Sequence, residues 1–412
     1  MQTQNTILHS DMNAFYASVE MMLDPSLRGK AVAVCGSTES RHGIVLAKSE
    51  LAKKAGVKTG MVNWQARQTC PELILVPPQY DQYLKYSNLA HEIYYRYSNF
   101  VEPFGMDECW VGLPGTDIGR GRAIAEEIRT AMKEELGLTV SIGVSFSKIF
   151  AKLGSDMKKP DAITVISAED VQAKVWPLPV SDLLYVGRAT DARLQEYGVR
   201  TIGELASLDP EMLRRWFGIN GVKLWHFANG TDLSRVMPVG FVSPVKSIGH
   251  GITCCADLEN EYEVFKVILE LSQDVGHRLR VHKLAATGVQ LYVRENNMDG
   301  VQYQCRLPIK TQLPNEIASA AFLLFQERFR WVNNVRAMCV RAIELVSCDL
   351  PDQLSFFIDH EKRDRRERLE DAVESIRSRF GKRSLTYAVL MGDLKMPDDG
   401  RELVRMPDVM YQ

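Results

Sequence analysis

The sequence lacks the features that mark membrane and exported proteins. It contains no run of 18 or more apolar residues, whereas a membrane-spanning helix needs about 20. Its first residues do not form the charged and then apolar pattern of a signal peptide. We therefore expect a cytoplasmic protein with no membrane contact.

Cysteine is scarce and scattered. The 412 residues include 8 cysteines, of which only Cys254 and Cys255 are adjacent, and no C-x-x-C motif occurs. Disulfide frameworks and zinc sites use closely spaced cysteines, so we expect neither. The motif G-x-x-x-x-G-K-[ST] is also missing, which excludes a P-loop nucleotide site.

An excess of positive charge is absent as well. The chain has 50 Lys and Arg against 52 Asp and Glu, for a net charge of −2. This balance excludes a uniformly basic coat for nucleic acid, although local basic faces can exist within it. The composition, 45% hydrophobic and 25% charged, suits a soluble protein with enough core for two to four domains.

Strand-like and helix-like segments alternate in the N-terminal part, which predicts an α+β domain. Apolar runs predict strands at 6–8, 31–36, 72–77 and 138–145, and an apolar stretch broken by a turn covers 100–113. Helical patterns occur at 48–56, 82–98, 122–137 and 146–157. Gly137 is expected to end the third of these helices.

The remaining chain has a different organisation. Prolines within 175–182 mark a boundary, and two helix–glycine–helix units are expected at 183–199 and 213–230. After a second break near 237–247, the order strand–helix–strand–strand–helix–strand predicts an independent α/β sandwich. From Ser347 onward the chain is polar and charge-dense, and we expect an appendage.

Three acidic residues stand in apolar strand contexts. Asp11 follows an apolar run, and Asp107 and Glu108 interrupt the stretch "GMDECWVGL". Taken singly, such an Asp is usually a helix cap, and such an acidic pair usually lies in an exposed turn. Together, carboxylates at neighbouring strand ends can hold two divalent cations about 3.5–4 Å apart. Oxygen ligands favour Mg²⁺, so a two-Mg²⁺ site for a phosphate-bearing substrate is predicted.

Two basic clusters could face the phosphates of such a substrate. One lies on a predicted helix and includes Lys53, and the other lies in a turn with Lys158 and Lys159 before Pro160. Each cluster alone is also typical of a solvated surface.

Five ordered motifs resemble those of Y-family translesion DNA polymerases of the DinB/UmuC group. They are "SDMNAFYASVE", "GMDECWVGL", "VSIGVSFSKIFAKLGSDMKKPDAITVI", "KSIGHG" and "QLSFF", and the resemblance covers residues 5 to about 357. It implies an α+β right-hand polymerase with a palm, small fingers, a helical thumb of helix-hairpin-helix elements and an α/β-sandwich little finger. The implied limits are 1–23 and 78–168 for the palm, 24–77 for the fingers, 169–236 for the thumb, 243–348 for the little finger and 349–412 for a tail.

The resemblance also implies roles for individual residues near the acidic motifs. Asp11, Asp107 and Glu108 match the catalytic metal ligands, with the backbone carbonyl of Met12 as a further ligand. Such a site would take two Mg²⁺ ions.

Further residues match nucleotide contacts of the family. Tyr16, next to Phe15, matches the steric gate whose ring crowds a 2′-hydroxyl, and Phe15 is assigned to the same nucleotide site. Lys159 matches a lysine that contacts the triphosphate. Lys53 stands where relatives often carry an arginine with that role, whereas Glu50 stands where many carry a tyrosine.

The segment "QLSFF", residues 353–357, resembles the pentapeptide with which bacterial polymerases bind the sliding clamp. The residues implied in this contact are Gln353, Leu354, Phe356 and Phe357. A short peptide of this kind anchors apolar and aromatic side chains in a preformed pocket.

The sequence therefore predicts a low-fidelity, template-directed DNA polymerase that extends a primer 3′ end by a two-metal mechanism in translesion synthesis and DNA repair. Its expected partners are primer–template DNA, deoxynucleoside triphosphates and the sliding clamp, and we expect a monomer that joins the nucleoid when on DNA. The alternatives are a nucleotidyl cyclase, a two-metal nuclease and a catalytically silent DNA-repair scaffold. A cyclase would not need thumb-like hairpins, a nuclease would not need a steric gate, and a scaffold would not need buried unpaired acids.

Overall fold

The computed structural model describes residues 5–38, 41, 43–351 and 359–397. Two units divide the described chain: the first holds residues 5–36 and 44–243, and the second holds 244–351 and 359–397 with the described part of 37–43. The predicted clamp-binding segment 353–357 lies outside the described residues. Within the described ranges, no helix combines the length and the apolar character needed to cross a membrane.

The first unit contains eight strands and ten α-helices. The strands are β1 (Thr6–Met12), β2 (Val32–Cys35), β3 (Val45–Lys48), β4 (Ile74–Val76), β5 (Phe100–Pro103), β6 (Glu108–Leu113), β7 (Val140–Ser145) and β8 (Ile163–Ile166). The helices are α1 (Phe15–Leu23), α2 (Glu50–Lys54), α3 (Asn63–Thr69), α4 (Tyr80–Tyr95), α5 (Ile118–Leu136), α6 (Lys148–Met157), α7 (Arg188–Glu196), α8 (Ile202–Ala206), α9 (Pro210–Phe217) and α10 (Ile219–Ala228).

A five-stranded sheet in the order β5-β6-β1-β7-β8 forms the centre of the first unit. Strand β1 pairs antiparallel with both β6 and β7, and all seven of its residues are buried. One face of the sheet packs on α4 and α5 through a core that includes Tyr83, Ile93, Ile128 and Met132. Asp11 therefore lies on the central strand, close to the carboxyl end of that strand.

Helix α6 covers the other face at very short range because residue 143 of β7 is glycine. A Cβ atom on Gly143 would lie 1.8 Å from the Ala151 carbonyl oxygen and 2.6 Å from the Ser155 nitrogen. Any side chain here would therefore push α6 away from the sheet. This close contact brings the side chains of α6 next to β1.

A smaller sheet in the order β3-β2-β4 has its own core, to which α2 and α3 contribute. The predicted strands at 31–36 and 72–77 are confirmed as β2 and β4, and the predicted helix at 48–56 is confirmed as the shorter α2. Gly137 caps α5 with φ of 66°, as predicted, because glycine adopts this left-handed conformation without strain.

The two helix–glycine–helix predictions have different outcomes. The second is confirmed, since Gly218 joins α9 to α10. The first is wrong, because only a 3₁₀ turn at Val180–Asp182 precedes Gly187 and α7. Tyr185 has φ of 71°, which no right-handed helix contains.

The second unit confirms the predicted α/β sandwich. Its elements are β9 (Ile248–Leu258), α11 (Glu261–Val281), β10 (Leu284–Glu295), β11 (Gly300–Thr311), α12 (Pro314–Arg328), β12 (Val335–Ser347) and α13 (His360–Phe380). The antiparallel sheet has the order β11-β10-β12-β9. Helices α11 and α12 pack on one of its faces, where Leu271, Val289, Phe325 and Val340 are buried.

The expected appendage after Ser347 is wrong for residues 359–397. Helix α13 docks on α11 through polar contacts, among them Arg377 with Gln273 at 2.6 Å and His277 with Glu374 at 2.6 Å. Leu390 beyond it is buried in the core of the second unit. The side of α13 that docks is charged, so the apolar residues of this helix do not mark its buried side.

We predict that Gly143→Ala lowers the free energy of unfolding by about 3 kcal/mol or more, because the added Cβ would overlap the α6 backbone. Gly187→Ala is the control, since a Cβ there meets nothing within 4 Å, and its cost should be about 1 kcal/mol or less. Urea unfolding measures both changes. Equal, small losses for the two variants would contradict the close packing of α6 on β7.

Candidate active site

Backbone pairing brings the three predicted acidic residues together. Asp11 lies directly opposite Glu108 across the β1–β6 pair, and opposed residues of neighbouring strands project to the same face. The Met12 N–H donates a 2.9 Å hydrogen bond to the carbonyl oxygen of Asp107. The carboxylates of Asp11, Asp107 and Glu108 thus share one end of the central sheet.

The crowding of these carboxylates alters their pKa values. Burial, with the charges of Asp11 and Glu108, raises the pKa of Asp107 to about 7. Burial also raises the pKa of Asp11 against the opposing effect of Lys159. Burial acts in the same direction on Glu108, but His9 and Lys152 outweigh it and lower the pKa of Glu108 to about 2.

Two lysine side chains supply positive charge between the acids. Lys152 Nζ lies 3.2 Å from Glu108 Oε2, 3.5 Å from Asp11 Oδ2 and 3.0 Å from Asp156 Oδ2. Lys159 Nζ lies 2.6 Å from Asp11 Oδ2 and 2.9 Å from Asp156 Oδ1. The lysines and Asp156 therefore link Asp11 to Glu108 through alternating charges.

Sequence reasoning had identified Lys159 but missed Lys152 and Asp156. Both missed residues lie on α6 at a spacing of four, which places them on the same side of the helix. That spacing, next to the lysine-containing turn, was the available signal.

His9 is a third residue that the sequence reasoning missed. It is completely buried, with Nε2 3.3 Å from Glu108 Oε2 and Nδ1 2.8 Å from Ser155 Oγ. Burial, together with the charge of Lys152, lowers the pKa of His9 to about 4. The ring is therefore neutral near pH 7. The sequence signal for His9 was its place in the first strand, two residues before Asp11.

The carboxylate oxygens of Asp11, Asp107 and Glu108 are suitable ligands for a divalent cation. In the described ranges, however, no three His, Cys, Asp or Glu side chains are already arranged as a metal-ligand cluster. Lysine ammonium groups neutralise part of the negative charge instead. Burial, and then the charges of Asp11 and Glu108, still raise the pKa of Asp107. Glu108 Oε2 is buried and, among the described residues, has no hydrogen-bond partner of full geometry. Oxygen ligands of this kind suit a hard cation such as Mg²⁺.

Tyr16 lies beside this site, and Phe15 lies beneath it in the core. The Tyr16 ring stacks on Tyr83 with centroids 4.2 Å apart, and its hydroxyl donates to Met106 Sδ at 3.5 Å. Burial and the charge of Asp107 raise the pKa of Tyr16 to about 12. Phe15 is buried against Tyr83, so its predicted nucleotide contact stays a prediction.

The other predicted residues have simpler surroundings. Lys53 is exposed on α2, where its ammonium group lies 3.9 Å from the Glu50 carboxylate. Met12 is buried, and its backbone is held in the sheet between β6 and β7. The metal contact of the Met12 carbonyl and the triphosphate contact of Lys53 both stay predictions.

Comparison with known proteins gives consistent matches along the chain. The impB/mucB/samB family matches residues 10–156, and the C-terminal domain of that family matches residues 245–356. DNA polymerase IV of Acetivibrio thermocellus is 46% identical over 392 residues, which cover 95% of this chain and 98% of the relative. DNA polymerase IV 1 of Bacillus subtilis is 36% identical over 377 residues, which cover 91% of this chain and 90% of the relative.

One solved structure has a similar fold. The Y-family DNA polymerase chimera Dbh-Dpo4(243-245)-Dbh superposes with a TM-score of 0.72 over 83% of this chain and 99% of the chimera. The two sequences are only 22% identical, so the likeness concerns the fold alone.

Proposed function

The chain belongs to the impB/mucB/samB family of bacterial, DinB-type Y-family DNA polymerases, and from this we propose that it is a DNA-directed DNA polymerase of low fidelity. It adds deoxynucleotides to a primer 3′ end under the direction of a template, in translesion synthesis and DNA repair. The observation that carries the proposal is the pairing of Asp11 with Glu108 across β1 and β6, beside Asp107.

The reaction is an in-line attack of the primer 3′-hydroxyl on the α-phosphate of the nucleotide, with release of pyrophosphate. Polymerases of this family depend on a metal, and here Asp11, Asp107, Glu108 and the Met12 carbonyl would hold two Mg²⁺ ions. When bound, these ions would lower the pKa of the attacking hydroxyl and neutralise charge on the leaving group. The chain itself positions the reactants and surrounds the site with fixed charge.

Lys159 has a second partner in this scheme. In the structure its ammonium group pairs with Asp11 and Asp156, and its side chain is about one quarter exposed, at 26%. We propose that this ammonium group would also contact the triphosphate of a bound nucleotide. Lys53, exposed on α2, provides a further contact from the fingers.

In the described residues, four of the buried cores each lie mainly in one part of the chain, and this supports a division into palm, fingers, thumb and little finger. Their representative residues are Leu8 and Ile142 for the palm, Ala33 and Ala66 for the fingers, Leu194 and Leu213 for the thumb, and Val289 and Val340 for the little finger. The core of the fingers has only eight buried residues. Fingers with so small a core have little surface to constrain the nascent base pair, which accounts for low fidelity and tolerance of damaged templates.

Primer–template DNA contacts the thumb and the sheet of the little finger. Gly218 precedes α10 without a side-chain cap, and the Gly221 N–H donates to the Gly218 carbonyl oxygen, so the N–H groups of Ile219 and Asn220 are the ones that a phosphate could contact. On the sheet, Arg306 is 87% exposed, and its strand β11 is mostly exposed along one side. Such contacts bind the DNA backbone without reading its sequence. We further propose that the enzyme acts as a monomer on nucleoid DNA in the cytoplasm.

Asp11→Asn and Asp107→Asn should each reduce single-nucleotide addition with Mg²⁺ by at least about 1,000-fold, because either change removes a charged metal ligand. Glu135→Gln, which alters an exposed carboxylate paired with Arg96, is the control and should leave the rate unchanged. Primer extension on undamaged and abasic templates measures the rates, and a mobility-shift assay measures DNA binding. DNA binding without any nucleotide addition by the wild-type protein would favour the scaffold alternative.

Tyr16→Ala should lower the preference for deoxyribonucleotides over ribonucleotides by orders of magnitude, because the ring would no longer crowd the 2′-hydroxyl. Tyr16→Phe keeps the ring that stacks on Tyr83 and should keep the preference. The ratio of kcat/KM for the two sugars is the measurement. If Tyr16→Ala weakens the use of both sugars equally, Tyr16 is a packing residue and the gate lies elsewhere.

The segment 353–357 binds the sliding clamp in this proposal. Two adjacent phenylalanines, Phe356 and Phe357, stand between charged flanking sequences, and paired aromatic side chains of this kind are typical anchors for a partner's pocket. A clamp tether raises the local concentration of the enzyme at the primer end without altering its chemistry.

Combined replacement of Leu354, Phe356 and Phe357 by Ala should therefore abolish clamp binding and clamp-stimulated synthesis. Addition of one nucleotide without the clamp should continue. Surface plasmon resonance with immobilised clamp and primer extension with and without clamp give the two results. If the triple variant instead loses both its thermal stability and its activity without the clamp, the segment is part of the fold and the clamp proposal is wrong.

A further inference from the structure

Glu20 is a buried carboxylate that the proposed reaction does not use. It lies on α1, four residues after Tyr16, and residues at this spacing lie on the same side of a helix. Both side chains reach Tyr83 on α4. Glu20 is only 4% exposed, and a carboxylate in such a place needs hydrogen bonds to replace the water that it has lost.

Two neutral groups bind the Glu20 carboxylate. The Tyr83 hydroxyl donates to Oε1, and the Gln79 side-chain amide donates to Oε2 at 2.7 Å. Gln79 is the cap residue of α4, and Tyr83 lies in the first turn of that helix. The carboxylate on α1 is therefore bonded at both oxygens to the beginning of α4.

The bond from Glu20 fixes one end of the ring that supports Tyr16. Tyr83 is completely buried, and its ring stacks on that of Tyr16 with centroids 4.2 Å apart and planes 8° apart. Phe15 and Tyr80 meet the Tyr83 ring at steep angles, with centroids 6.2 and 5.9 Å away. If the Tyr83 ring tilted or moved along the stack, its hydroxyl would leave the buried Glu20 oxygen without a partner, which is costly.

The support behind Tyr16 matters because a ring excludes a 2′-hydroxyl only as far as that support resists displacement. The Tyr16 hydroxyl donates to Met106 Sδ at 3.5 Å, and a thioether sulfur is a weak acceptor. The stacked face of Tyr83 is therefore the firmer support of the Tyr16 ring.

We propose that Glu20 is a positioning residue for sugar selection. Through the Tyr83 hydroxyl it fixes the ring on which Tyr16 stacks, so that Tyr16 keeps its place against the 2′-hydroxyl of an incoming nucleotide. The inference rests on the proposed function, because it takes Tyr16 as the steric gate. An apolar pair at positions 20 and 83 would fill the same space without burying a charge, whereas the carboxylate supplies a directional bond.

Four variants separate this role from simple packing. Tyr83→Phe keeps the ring but removes the donor, and Glu20→Leu removes the acceptor. Glu20→Gln keeps a carbonyl oxygen that can accept from the Tyr83 hydroxyl. The double variant Glu20→Leu/Tyr83→Phe removes both partners, and Gln79, which is exposed, can then bond to water.

The preference for deoxyribonucleotides is measured as the ratio of kcat/KM for the two sugars in single-nucleotide addition with Mg²⁺. Tyr83→Phe and Glu20→Leu should each lower this preference about tenfold or more, because a small displacement of a positioning group has large effects. Glu20→Gln should nearly keep the wild-type preference.

Urea unfolding of the same variants separates stability from sugar selection. In the double variant the stability should return toward that of the wild type, because no polar partner is left unpaired. Its sugar preference should nevertheless stay as low as in the single variants. The double variant also keeps the test decisive if either single variant is too unstable to assay.

Tyr94→Phe is the matched control. Tyr94 is also buried on α4, and its hydroxyl donates to Ser10 Oγ at 2.9 Å. Loss of this hydroxyl should lower the stability but leave the sugar preference unchanged. The proposal is overturned if Tyr83→Phe and Glu20→Leu keep the wild-type preference, if Tyr94→Phe loses as much of it, or if the double variant recovers it together with stability.

Tyr16→Ala distinguishes failure of this inference from failure of the proposed function. If the wild-type protein adds no nucleotide, or if Tyr16→Ala keeps the wild-type sugar preference, the polymerase proposal or its gate is wrong, and the role of Glu20 is refuted with it. If Tyr16→Ala loses the preference while Tyr83→Phe and Glu20→Leu keep it, only the role of Glu20 is refuted.

Discussion

The burial of one acidic side chain on the central strand of the sheet is the constraint on which the rest of the first unit depends. Asp11 occupies β1, whose seven residues are all buried, and its neighbour across the sheet is Glu108. Carboxylates in such a place are stable only when cations or hydrogen bonds compensate for the lost water. The surrounding elements must therefore bring positive charge to this end of the sheet.

Helix α6 meets that requirement, and its distance from the sheet is set by a backbone feature. Gly143 lets the helix backbone lie directly against β7, which brings Lys152 within 3.2 Å of Glu108. The turn that follows adds Lys159 at 2.6 Å from Asp11. A network of fixed opposite charges thus gathers the acids before any substrate arrives. Preorganisation of this kind avoids reorganisation during the reaction.

The second unit shows a different use of charge. Helix α13 packs on α11 through polar contacts such as that of Arg377 with Gln273, while Leu369 and Phe380 are exposed, at 64% and 67%. An apolar stripe normally marks the buried side of a helix. Here that rule predicts the wrong side, because paired charges on α11 and α13 provide the docking surface. Packing of this type is invisible to hydrophobic periodicity.

Analysis of the amino-acid sequence was enough to predict the α+β character, most strands and helices, and the grouping of Asp11, Asp107 and Glu108. The α+β character and the elements follow from local rules, since apolar spacing reports which face of an element is buried and glycine at Gly137 permits a helix end. The grouping of the three acids was instead expected from the resemblance of their motifs to those of Y-family DNA polymerases. The tertiary structure alone decided the places of His9, Lys152 and Asp156 and the docking of α13. His9 and Ser155 are 146 residues apart in the chain and meet only because β1 pairs with β7 and Gly143 admits α6. Contacts between such distant residues depend on strand order and close backbone approach, which no local pattern encodes.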